Sequence, residues 1–287
     1  GSGFIFCSII YDEYSISFKC LVCQKQRRQK GVITDMKTCR QLKTAARGNL
    51  IGNYRITMGA FVIVMLLGTV IEIPFSGLVN GAATPTTNYI IYYIAEFLIA
   101  ILSGVLQIGL FRIHLSIARK KECNVSDVFC CFKSRTDRYI LGYLLVFAFS
   151  LIGMSPAAYV YFFCDLTTAN IPIIIGLLVL SLVLSVFINI IFSLVFFVML
   201  DNEDLSIMQC FKKAVGLMKG NKGRLFYIYL SFVGMWFLVV LSFGIGYLWV
   251  EPYMIQTYTM FYLDVIGEEP AAGNPTAGSI IDVNITN

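Results

Sequence analysis

Six runs of apolar residues, 57–78, 91–113, 139–163, 173–200, 225–241 and 247–263, decide what this chain can fold into. Lipid offers no partner to an open backbone N–H or C=O, so a segment crossing it must be helical and needs about 20 apolar residues. Most of the runs meet that length. The fourth exceeds it and must tilt, kink or protrude. The fifth is short, and the Gly244-Ile245-Gly246 behind it reads as a tight outer turn. Composition removes the soluble alternative. Hydrophobic residues make up 57% and charged residues only 14%, where a soluble domain carries about a quarter charged. The expected fold is an all-α polytopic membrane protein with six transmembrane helices.

Charge then orients it. The Lys and Arg residues fall in three blocks, 19–55, 112–138 and 212–224, and the connections 80–88, 164–170 and 242–250 hold none. Basic residues beside membrane ends stay on the cytoplasmic side, so all three blocks are expected inside. An even number of spans then puts both termini in the cytoplasm. The net charge of +5 is explained by this topology, without nucleic acid as a partner. Eight of the nine cysteines fall inside or at the inner surface, with Cys164 alone outside. Reduced thiols are the default. The single Cys20-Leu-Val-Cys23 lacks the second ligand pair of a zinc knuckle, and neither metal nor cofactor is expected.

The ends read differently from the middle. Residues 1–35 are expected to be an extension or misassigned start without a fold. Residues 30–33 back-translate to a purine-rich string suited to ribosome binding upstream of Met36, the favoured start. Residues 36–265 form the membrane domain. Residues 266–287, rich in Gly, Pro, Asn and acid, have little to bury and are expected to be a disordered cytoplasmic tail.

The chain also repeats. Shifted by 168 residues, Thr38-x-x-Gln41 falls on Ser206-x-x-Gln209, Ala46 on Ala214, Gly48 on Gly216 and Gly52-Asn53 on Gly220-Asn221. Each copy opens with a capping box and closes on a Gly suited to the left-handed end of a helix. In the second copy Met208, Phe211, Val215 and Met218 share a face, as in an amphipathic helix with its apolar side toward lipid or the bundle. Residues 126–132 look like a shorter, diverged counterpart. The plan is three parallel hairpin units, each preceded by a cytoplasmic amphipathic helix.

The segments Asp201-Asn202-Glu203-Asp204-Leu205-Ser206, Ala214-Val215-Gly216-Leu217-Met218-Lys219-Gly220-Asn221-Lys222, Leu230-Ser231-Phe232, Gly244-Ile245-Gly246-Tyr247-Leu248-Trp249 and Pro252-Tyr253 resemble the signature of the domain-of-unknown-function 975 family of bacterial integral membrane proteins. The resemblance covers Met36 to about Asp264 and implies a bacterial cytoplasmic membrane location. It brings no catalytic residues. Glu251 departs from the pattern, where an apolar residue is usual before Pro252. More remotely, the architecture is similar to the membrane domain of some glycerophosphodiester phosphodiesterases.

Catalytic motifs are missing. His114 is the single histidine, and neither a phosphate loop nor a nucleophile elbow occurs. The chain is therefore not expected to be an enzyme. Polar residues do fall in register on the even spans. Glu96, Ser103, Gln107 and His114 lie within about 20° of one face. Ser181, Ser185, Asn189 and Ser193 recur every four residues. Such side chains turn inward from lipid, which suggests a polar groove between the second and fourth spans, while Arg112 and His114 are expected to snorkel toward headgroups. Glu72, Asp165 and Glu251 form a candidate acidic cluster near the outer face. Ordinary helix packing also explains the serine stripe. Two functions remain open: a non-catalytic membrane protein handling lipid or amphipathic peptide, with a small-molecule ligand allowed, or a small ion- or proton-coupled transporter using Glu96. The sequence does not set the oligomeric state.

Overall fold

A computed structural model describes residues 36–79, 85–164 and 170–268, and within them the regular structure is helical. The first unit comprises α1 (Cys39–Leu50), α2 (Tyr54–Ser76) and α3 (Thr86–Ala118). The second begins with a 3-10 turn (Val125–Phe129) and the short α4 (Cys130–Lys133), and continues with α5 (Thr136–Phe163), α6 (Ile171–Phe192) and α7 (Val195–Asp201). The third holds α8 (Ile207–Met218), α9 (Lys222–Leu230), α10 (Val233–Leu241) and α11 (Tyr247–Ile266).

Five segments are long and apolar enough to cross a membrane: Tyr54–Val79, Thr86–Ala118, Thr136–Phe163, Ile171–Asp201 and Lys222–Leu241. The sixth expected run, α11, does not meet that standard. It carries Glu251, Gln256, Thr257, Thr259 and Asp264, yet most of it from Val250 to Leu263 is buried. A helix sheathed by protein can spend positions on hydrogen bonding that a lipid-facing helix must leave apolar. The long fourth run is interrupted at Ser193–Leu194, between α6 and α7. The short fifth run breaks at Ser231, whose carbonyl accepts a hydrogen bond from Lys43 Nζ at 2.9 Å. Phe243 and Gly244 both take positive φ in the turn before α11.

The repeat holds at the level of single atoms. Thr38 and Gln41 close a reciprocal capping box on α1, as Ser206 and Gln209 do on α8. Gly52 has φ 87° and Gly220 φ 83°, a region open to glycine at little cost. Asn53 then donates to the Asn49 carbonyl at 3.0 Å, and Asn221 to the Leu217 carbonyl at 3.0 Å. The buried stripes also correspond, Leu42, Ala46 and Leu50 in α1 against Cys210, Ala214 and Met218 in α8. Met208, expected on the apolar face, is exposed. The small Cys210 and Ala214 are buried in its place and let α8 approach its neighbours closely. In the second unit the counterpart is mainly a 3-10 turn capped by Asn124 and Asp127. Gly109 admits it, because a Cβ there would strike the Val128 carbonyl.

The 3-10 turn and α8 each pack on the helices that precede them in the chain. The 3-10 turn packs on α2 and α3, and α8 on α5, α6 and α7. Helix α1 reaches across to α11 of the third unit and closes a ring. Arg224 fastens that closure, donating to the Lys37 carbonyl at 2.7 Å and to Asp264 at 2.5 Å.

A candidate binding cavity at the basic end of the bundle

The second long helix of each unit ends at one place. Arg119 caps α3, Asp201 is the last residue of α7, and Glu268 follows α11. Arg119 Nη1 and Nη2 donate to the two Asp201 carboxylate oxygens at 2.6 and 2.8 Å, and Nε and Nη2 donate to Glu268 at 2.7 and 2.6 Å. The Tyr262 hydroxyl adds a third bond to Asp201 at 2.8 Å. The two carboxylates push the Arg119 pKa further up, against the opposing effect of its partial burial. One guanidinium between two carboxylates leaves the cluster one negative charge in excess. Bidentate pairs of this kind fix geometry as well as charge.

The loop after Asp201 is held through its backbone. Arg138, 6% exposed, donates to the Asn202 and Glu203 carbonyls at 2.6 and 2.8 Å and to Cys210 Sγ at 3.1 Å. Arg135 also donates to the Glu203 carbonyl. Lys213 Nζ donates to Asn202 Oδ1 at 2.7 Å. With its backbone fixed, the loop presents the Glu203 and Asp204 side chains to solvent. Beside it lies a cavity of about 800 Å³. Its charged lining includes Arg112, Lys121, Glu203 and Asp204, and its apolar lining includes Leu115, Leu200, Leu217 and Ile266.

The cavity lies between the C-terminal ends of the second and fourth long segments but uses none of the eight residues assigned to a groove there. Glu96 is half-buried beside Tyr92, and its Oε1 is buried without a hydrogen-bond partner. Ser103 faces Gly68 of α2, and Gln107 is half-buried. His114 does not snorkel: it is 1% exposed, with Nδ1 2.7 Å from Gln256 Oε1. Ser181 donates to the Gly153 carbonyl of α5 at 3.1 Å, and Ser185 packs on the same glycine. Asn189 is exposed and donates to its own helix at Ser185, while Ser193 reaches the Ile190 carbonyl and Met218 Sδ. The serine stripe thus serves the contacts of α6 with α5 and α8. In the outer cluster, Glu72 is exposed and shares Tyr92 with Glu96 as an electrostatic neighbour. Glu251 is half-buried against Tyr247, and Asp165 lies outside the described residues.

Sequence reasoning missed Arg119, Tyr262 and Glu268 as site residues. Arg119 was absorbed in a basic block, and Glu268 was assigned to the tail. The signal that locates Arg119 is the unit plan, since it stands five residues before the Asn124 cap as Asp201 stands five before the Ser206 cap; Tyr262 and Glu268 have no such signal.

Helical structure throughout the described residues, with five segments long and apolar enough to cross a membrane, is that of a polytopic membrane protein. Residues 36–269 match the profile of the family described as "Protein of unknown function (DUF975)", and the chain belongs to that family. No curated protein and no solved structure matches the chain. The remoter likeness to the phosphodiesterase membrane domain gains no support from these comparisons.

Proposed function

We propose that this is a non-catalytic membrane protein that holds the polar end of a lipid or of an amphipathic peptide in the cavity, with the apolar part lying along the helices. The observation that carries this reading is the cavity's lining. Charged groups of both signs stand against leucine and isoleucine side chains near the ends of helices able to cross a membrane. Arg119, Asp201 and Glu268 are bound to one another, which suits a fixed wall better than proton transfer. Following the charge pattern, we place the chain in the bacterial cytoplasmic membrane with the basic blocks and both termini inside. Helix α11 then crosses as a sixth, protein-sheathed span. Native mass spectrometry of the purified protein tests the binding. A lipid or peptide adduct that weakens in the double variant Arg112→Gln, Lys121→Gln is expected. Retention unchanged in that variant would refute the assignment to this cavity.

Glu96 favours a second reading. A carboxylate oxygen buried without a partner among apolar helices is costly and marks an ion or proton pathway by default. Ion or proton flux in proteoliposomes that disappears with Glu96→Gln would establish transport; flux that survives the substitution would remove Glu96 from it.

A further inference from the structure

The connection between α3 and α5 holds a thiol cluster that the cavity reading does not use. Cys130 opens α4, and its Sγ lies 3.7 Å from Cys131 Sγ. Cys131 is buried, whereas Cys130 is half-buried. The Arg112 side chain, from α3, is an electrostatic neighbour of Cys130 and also lines the cavity. We propose that Cys130 is a reactive thiol, a modification site that small hydroperoxides oxidise to a sulfenic acid.

The neighbours make this sulfur a thiolate. Either thiol can donate in the 3.7 Å contact. Cys131 is buried and Cys130 half-buried, so the negative charge costs less on Cys130, with the Cys131 hydrogen turned toward it. Arg112 supplies positive charge and Asp127 opposes it. Tyr139 is an electrostatic neighbour of Cys131. The balance lowers the Cys130 pKa to about 7, with the Cys131 hydrogen bond as the largest cause. Cys131 is pushed up by the same bond, so the pair shares one negative charge and places it on the more open sulfur. Cys123, in the same connection, is pushed up by burial and by Asp127. Two half-buried thiols in one loop therefore differ in the property that governs reactivity. A half-buried sulfur admits a small oxidant more readily than a bulky one.

The step balances without further components. The Cys130 thiolate attacks one oxygen of hydrogen peroxide, the O–O bond breaks, and the departing hydroxide takes a proton to become water. The sulfur is oxidised by two electrons to the sulfenic state, and the peroxide is reduced.

Pulsed iodoacetamide alkylation of the purified protein across pH 5.5–9.5, read cysteine by cysteine by mass spectrometry, tests the thiolate. Peroxide followed by dimedone tests the oxidation. Cys130 is expected to reach half its maximal rate near pH 7 and to alkylate about tenfold faster than Cys123 at pH 7, since a larger thiolate fraction outweighs lower intrinsic nucleophilicity. Dimedone should mark Cys130 ahead of Cys123. Arg112→Gln and Cys131→Ala should each raise the midpoint and cut the adduct several-fold, and Arg112→Lys should restore part of it. The rate at Cys123, unchanged across the variants, shows that the loop has stayed folded. Cys130 alkylating with the rate and pH profile of Cys123, or an adduct indifferent to Arg112→Gln, overturns the proposal.

Discussion

Arg119 and Asp201 meet in a two-pronged ion pair at 2.6 and 2.8 Å although 82 residues separate them in the chain. Each ends the second long helix of its unit, so the pair measures how the units sit together. Their side chains are 19% and 15% exposed. Solvent screening is therefore incomplete, and the pair exceeds the small value of a surface bridge. Removing one partner strands the other. Asp201→Asn is expected to destabilise the folded protein by about 2 kcal/mol, below the 3–5 kcal/mol range of fully buried pairs. A double-mutant cycle with Arg119→Ala, read by thermal unfolding in detergent, should return a coupling of about 1–2 kcal/mol. Additive effects would show that the units are held by other contacts.

The two capping boxes close different helices and share no hydrogen-bond partner among the described residues. Thr38→Ala and Ser206→Ala should each cost about 1 kcal/mol, and the double variant should cost their sum. Gly52→Ala and Gly220→Ala, at φ 87° and 83°, should each cost about 1–2 kcal/mol, because a Cβ is strained in the left-handed region. Equal penalties at the two positions would support the repeat in energetic as well as geometric terms; a penalty at one alone would limit it to shape.

His114 and Gln256 are both buried, and Gln256 Nε2 has no hydrogen-bond partner. Gln256→Leu should cost about 1–3 kcal/mol by leaving the imidazole unpaired. His114→Leu with Gln256→Leu should recover most of that loss, since two apolar groups replace a polar pair in a protein-lined site. Thermal stability in detergent decides it, and a double variant no better than the single would contradict the pairing.

The proposed topology predicts that an impermeant maleimide reaches Cys164 in intact cells and reaches Cys123 only after permeabilisation. Labelling of Cys123 in intact cells would reverse the orientation.

The capping boxes and the Gly-Asn ends of α1 and α8 were legible in the sequence because they are local. A hydroxyl, an amide and a glycine at fixed offsets specify a helix terminus whatever surrounds it. The long apolar helices were legible for a similar reason, since lipid acts on each segment separately. What depended on neighbours was not. Helix α11 read as one more run of the same kind because hydropathy along the chain does not reveal that α1, α2, α3 and α10 would pack on it. The face shared by Glu96, Ser103, Gln107 and His114 was sound as helix geometry, but a face does not name its partner. Ser103 met Gly68 and His114 met Gln256. The ring closure by α1, which brings Lys37 to Asp264, has no local signature.

The most direct test of the binding reading is a photo-crosslinking residue placed at Leu217, on the cavity wall, and separately at Val233, exposed on the outside of α10. After irradiation in native membranes, the Leu217 probe should capture one lipid class or one peptide, and arginine or lysine loss at positions 112 and 121 should abolish that adduct. The Val233 probe should capture bulk lipid indifferently. The same unselective mixture at both positions, unaffected by the charge substitutions, would contradict a binding role for the cavity.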